Sequence, residues 1–123
     1  MELSSSQIEE FEERGFLFFP ELLKSHEVKL LTDHLEGLYS RTGPEVVREK
    51  KGDGIRLVYG THEYCQPYGR LSVLPRLLQP VRQLLRSEVY IHQSRLNPKH
   101  GFSGGGWTVS YTHLRAHETA QYL

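Results

Sequence analysis

Cysteine is nearly absent: Cys65 stands alone. One thiol excludes an intramolecular disulfide and a cysteine-held metal cluster, and it fits a reducing compartment. Net charge is absent as well, because fifteen basic and fifteen acidic residues cancel. No global field therefore points to nucleic acid or to an acidic membrane surface. No apolar run approaches the roughly 18 residues that a membrane span needs. The first thirteen residues are acidic and polar, unlike a signal peptide. The expectation is one small cytoplasmic domain, since 123 residues leave room for no more.

What is present is a series of local signals. Ser6-Gln7-Ile8-Glu9 has the pattern of a capping box and predicts a short helix that stops at Gly15. Phe16-Leu17-Phe18-Phe19, closed by Pro20, predicts a short buried strand. A second helix is expected from Ser25, with Val28, Leu31, Leu35 and Leu38 on one face, ending at Thr42-Gly43-Pro44. Glu45 to Gly54 reads as a polar, mobile connection. Ile55, Leu57 and Tyr59 alternate with Arg56 and Val58, as in a strand. His62 to Gly69 reads as a turn-rich connection. A helical stripe follows through Leu74, Leu77, Leu78, Val81, Leu84 and Leu85. Pro80 interrupts it, which predicts a kink or a second helix beginning there.

Val89 to Asn97 reads as a strand of particular interest. Side chains alternate across a strand, so Val89, Ile91, Gln93, Arg95 and Asn97 are expected to share one face. That face begins apolar and then presents an amide, a guanidinium and another amide. Such a switch suits the wall of a polar pocket. It also suits an edge strand whose end emerges into water.

The segment VYIHQSRLNPKHGFSG, from Val89 to Gly104, resembles the stretch that precedes the iron-binding motif in ectoine hydroxylases and related members of the phytanoyl-CoA dioxygenase (PhyH) family. ERGFLFFPELL (Glu13 to Leu23) and PRLLQPVRQLL (Pro75 to Leu85) resemble the N-terminal region of the same family, in the same order. The resemblance implies an α+β arrangement: N-terminal helices plus the first strands of a double-stranded β-helix, a jelly-roll barrel, here incomplete. It implies a parent enzyme that uses Fe(II) and 2-oxoglutarate to hydroxylate a small polar substrate, ectoine or another. Iron in that family is held by His-x-Asp and a distant second histidine, a facial triad with open positions. Carried over by residue, Gln93 and Asn97 would bind 2-oxoglutarate and Arg95 the substrate, with Lys99 and Trp107 as weaker lining candidates.

The resemblance also implies what is missing. His-x-Asp belongs near positions 110 and 112, where Ser110 and Thr112 stand instead. Val109 to Thr119, VSYTHLRAHET, resembles the peptide obtained when sequencing-adapter DNA is translated in frame. The expected division is therefore residues 1–108 as the N-terminal part of a dioxygenase domain and 109–123 as a non-native tail. This chain itself is then expected to be inactive and to bind neither iron nor 2-oxoglutarate. Two other readings come from the residues: a small non-enzymatic α+β binding module, and a zinc hydrolase using His113, His117 and Glu118. In the second, the histidine spacing of i and i+4 suits zinc, but the glutamate follows the second histidine and no third ligand is evident.

Overall fold

The computed structural model describes residues 1–52 and 54–99. The expectations for His100, Trp107, Ser110, Thr112, His113, His117, Glu118 and the whole 109–123 tail lie outside them. Among the described residues the architecture is α+β, with helices around a three-stranded antiparallel sheet whose strands, β1 (Val46–Arg48), β2 (Ile55–Tyr59) and β3 (Arg95–Leu96), lie side by side in chain order.

Helix α1 spans Ser5–Arg14 and ends, as expected, on Gly15 in the left-handed region at φ 79°. Its capping box lies two residues before the expected one. Ser4 Oγ accepts from the Gln7 amide at 3.3 Å, and Gln7 Oε1 accepts from the Ser4 amide at 2.9 Å. Three consecutive serines offer competing caps, and the tie is broken by tertiary contacts. Starting at Ser4 lets Leu3 be buried, while the Gln83 side chain both accepts from the Leu3 amide at 2.7 Å and donates to its carbonyl at 2.9 Å.

Phe16 to Phe19 forms no strand, contrary to expectation. The run alternates as an extended chain does, with Leu17 and Phe19 half-buried and Phe16 and Phe18 exposed. It pairs with none of the three strands, and packing takes the place of a ladder. Leu17 and Phe19 share a cavity of about 220 Å³ with Leu77, Pro80 and Leu84.

The helix from Ser25 is divided into α2, Ser25–Asp33, and α3, Leu35–Tyr39. The break has a local cause: Thr32 Oγ1 donates to the Val28 carbonyl at 2.7 Å, and His34 Nδ1 lies 2.8 Å from the Leu30 carbonyl. Side chains that bond back to the preceding turn compete with the helical ladder. Of the expected apolar face, Leu38 is buried, Leu31 and Leu35 are half-buried and Val28 is exposed.

The polar stretch after Pro44 contains a strand that the sequence reading missed, β1 at Val46–Arg48. It pairs antiparallel with β2, Ile55–Tyr59, with Val46 opposite Val58 and Arg48 opposite Ile55. The register shifts between Val47 and Arg48, because Val47 faces Leu57 and Arg56 is passed over. A bulge of this kind interrupts the two-residue alternation. It accounts for Ile55 and Val58 being the buried pair, where strict alternation grouped Ile55 with Leu57 and Tyr59.

The turn-rich connection is helical: α4 at Thr61–Tyr64 and α5 at Gln66–Ser72. The stripe after it forms one helix, α6, Pro75–Leu85, with Pro75 in its first turn and Pro80 inside it. Proline forfeits one ladder bond, but Pro80 is the buried residue of this helix, so the ring gains packing where the amide is lost. Helices α2 and α6 are joined by Glu27 and Arg76, whose Oε1 and Nη2 are 2.5 Å apart. The last strand, β3, covers only Arg95–Leu96 and pairs with β2 through Val58↔Leu96 and Tyr59↔Arg95. No helix of the described residues is long and apolar enough to cross a membrane.

Two outcomes follow for stability. A Cβ on Gly69 would lie 2.9 Å from the His62 carbonyl oxygen, so Gly69→Ala should push α4 and α5 apart and destabilise by about 1–3 kcal/mol. Gly37 faces open space within α3, and Gly37→Ala should stabilise by about 0.5–1 kcal/mol. Urea midpoints that move in the same direction for both would contradict this packing. Second, the Lys24 backbone N–H and then the Arg76 guanidinium hold the Glu27 carboxyl below its ordinary range. A depressed carboxyl contributes stability above its unfolded pKa of about 4.3 and loses it as pH falls through the lower folded value. Urea midpoints measured from pH 6 down to pH 3 should therefore fall less steeply for Glu27→Gln than for the unsubstituted chain; parallel curves would refute the coupling.

Candidate functional site

The residues of interest sit on the last described segment, and β2 positions them. Val58, fully buried at the centre of the sheet, pairs with Leu96 and draws that side chain inward. From Gln93 to Lys99 the chain then alternates strictly. Gln93, Arg95, Asn97 and Lys99 are exposed, and Ser94, Leu96 and Pro98 are half-buried. Three of the expected residues, Gln93, Arg95 and Asn97, thus project together from one face, and Lys99 continues the row.

The apolar beginning of that face is not where strand geometry put it. Val89 to Ser94 has no ladder, and His92 lies in a bend. Val89 and Ile91 turn instead toward α6, where with His62, Leu77, Leu78 and Val81 they line an open groove of about 620 Å³. Tyr90 is 85% exposed beside it. The strand expected from Val89 to Asn97 is therefore paired in a ladder only at Arg95 and Leu96. The reason is the length of its partner, because β2 ends at Tyr59 and Gly60, the next residue, reaches back no further than the Ser94 carbonyl.

Behind the polar row lies a cluster of hydrogen bonds. The Gly60 amide donates to the Ser94 carbonyl at 2.9 Å. His62 Nδ1 lies 2.5 Å from Ser94 Oγ. Tyr64 donates its hydroxyl to the Tyr59 carbonyl at 2.6 Å, and burial pushes its phenol above the ordinary range, keeping it a neutral donor. The Arg41 guanidinium lies 4.1 Å from the Tyr64 ring centre and also holds Glu45, lowering that carboxyl. Among the described residues no group of three or more His, Cys, Asp or Glu side chains is placed to hold a metal ion. His34 Nδ1 and His62 Nδ1 lie within hydrogen-bond distance of an oxygen, and His26 and His92 are exposed. The contact between His62 and Ser94 left no trace in the sequence pattern, for the two are 32 positions apart.

No protein-family model matches the chain, so the wider phytanoyl-CoA dioxygenase grouping rests on the resemblance alone. Individual relatives do match. The ectoine dioxygenase of Halomonas elongata is 38% identical over 109 residues, 85% of this chain and 33% of the relative. That of Bordetella bronchiseptica is 36% identical over 108 residues, 83% of this chain and 34% of the relative. The L-proline trans-4-hydroxylase of Streptomyces griseoviridis is 33% identical over 93 residues, 76% of this chain and 35% of the relative. The chain thus spans about a third of the length of the curated relatives it matches. Among solved structures, the crystal structure of EctD from S. alaskensis with 2-oxoglutarate and 5-hydroxyectoine superposes with a TM-score of 0.71 at 30% identity, covering 77% of this chain and 35% of that one. Over most of its length, this chain is therefore ectoine-dioxygenase-like in both sequence and backbone.

Proposed function

We propose that the chain is the N-terminal part of a non-haem Fe(II)- and 2-oxoglutarate-dependent dioxygenase that hydroxylates a small polar substrate, with its incomplete barrel beginning at the sheet described above. The observation that carries this reading is the exposed row of Gln93, Arg95 and Asn97 on a backbone that is EctD-like. Amide and guanidinium groups are hydrogen-bond donors, and they suit a dianion such as 2-oxoglutarate or the carboxylate of a substrate. Gln93 and Asn97 are assigned to 2-oxoglutarate. Arg95, whose planar fork can grip a carboxylate at two points, is assigned to the substrate.

The described residues do not fit iron, having no ligand group for it, and their part is limited to binding and orientation. In this reaction class bound 2-oxoglutarate supplies the electrons for dioxygen activation. The iron ligands are assigned to polypeptide beyond residue 108, with residues 109–123 as a non-native tail. Two facts support the assignment of further polypeptide. The chain matches only about a third of each relative, and α6 leaves Val81 and Leu85 exposed beside Tyr90 and Ile91, an apolar face suited to further packing.

The test is to read the locus past the codon for Thr108 and to express both products. The longer product should contain His-x-Asp and show Fe(II)-dependent consumption of 2-oxoglutarate, while the 123-residue chain shows none. In the longer product Gln93→Ala should raise KM for 2-oxoglutarate about tenfold or more, the loss of one charge-assisted hydrogen bond. Turnover by the 123-residue chain, or a locus that encodes Val109 to Leu123 unchanged, would overturn the reading.

A further inference from the structure

We infer that His62 is a positioning residue: its hydrogen bond to Ser94 sets Gln93 on the strand face that carries Arg95 and Asn97. The inference rests on the proposed role of that row. Regular pairing holds only Arg95 and Leu96 to β2, too short a ladder to set the orientation of the residues before it. Ser94 is the next residue back, and two bonds hold it. Its carbonyl accepts from the Gly60 amide at 2.9 Å, and its hydroxyl meets His62 Nδ1 at 2.5 Å. With the Ser94 side chain drawn inward, Gln93 and Arg95 must point outward, because neighbours on an extended chain face opposite ways.

The histidine is itself well placed for this. Gly60 turns the chain in the left-handed region at φ 66°, which lets α4 begin immediately after β2. Thr61 is buried at the start of that helix, and the His62 side chain is 21% exposed, in the wall of the apolar groove. Its other ring nitrogen lies 3.8 Å from Glu63, whose side chain is 75% exposed. That contact is too long for a hydrogen bond, so Ser94 sets the ring orientation. Gly69 packs against the carbonyl of this same residue and limits the movement of α4.

The test uses the 123-residue chain and needs no ligand. Amide exchange of Gly60 reports the bond to Ser94, and three-bond HN–Hα couplings report whether Gln93 to Asn97 stays extended. His62→Ala and Ser94→Ala should each speed Gly60 exchange about tenfold by local opening and lower the coupling at Gln93. Amides of the β1–β2 ladder and α6 should keep their rates. His62→Asn, which places an acceptor near the Nδ1 position, should restore Gly60 protection. Unchanged Gly60 exchange in Ser94→Ala would overturn the inference, and so would equal acceleration of every slow amide, since that marks a bond serving global stability alone. Failure of the 2-oxoglutarate assignment would appear in turnover and leave these ligand-free readouts unaffected, so the two failures are distinguishable.

Discussion

Burial of Val58 in the middle strand is the constraint on which the remaining structure depends. This residue has no solvent exposure, and it pairs with Val46 on one side and Leu96 on the other. Removing a side chain of this kind from water contributes about 1.5–3 kcal/mol, and a three-stranded sheet is the least that achieves it here. The pairing sets the inward direction for Leu96, and hence the outward direction for Arg95 and Asn97. The bulge at Arg56 brings Ile55 to the same buried side. Gln93, one step before the ladder, depends in addition on the bonds that hold Ser94.

Helix α6 carries the second consequence. Its apolar stripe has more surface than the described residues cover. One part packs near Leu17 and Phe19 through Pro80, and Gln83 ties the chain start to it. The other part faces the groove against Val89 and Ile91, with Leu85 59% exposed. Glu27 ties α2 to α6 through Arg76, and Glu45 pairs with Arg41 within the connection between α3 and β1.

Much of the fold was legible in the residues, for physical reasons that differ by element. Gly15 ended α1 because only a residue free of a Cβ takes that left-handed cap cheaply. The leucine stripe gave α6, and of the two outcomes expected at Pro80 a second helix does not occur, since local propensity ignores what burial of the ring returns. The aromatic run misled because a strand exists only with a partner, and pairing is not written in a segment of four residues. Strand β1 and helices α4 and α5 were hidden in polar sequence, where no apolar period marks them. For the candidate site, alternation correctly placed Gln93, Arg95 and Asn97 on one face, because period two survives wherever the chain stays extended. It failed for Val89 and Ile91, which the bend at His92 separates from the row. The contact between His62 and Ser94 was invisible, because it joins segments 32 residues apart through a helix that the sequence did not announce.

The row of Gln93, Arg95 and Asn97, proposed as the wall of a 2-oxoglutarate pocket, can be examined with the ligand in place. The most direct measurement is a crystal structure of the longer product of this locus, grown with Fe(II), 2-oxoglutarate and substrate under anaerobic conditions. Gln93 and Asn97 are expected within about 3 Å of 2-oxoglutarate oxygens, a normal hydrogen-bond distance, with Arg95 turned to the substrate carboxylate. A bound 2-oxoglutarate on another wall, with this row facing bulk water, would contradict the proposal.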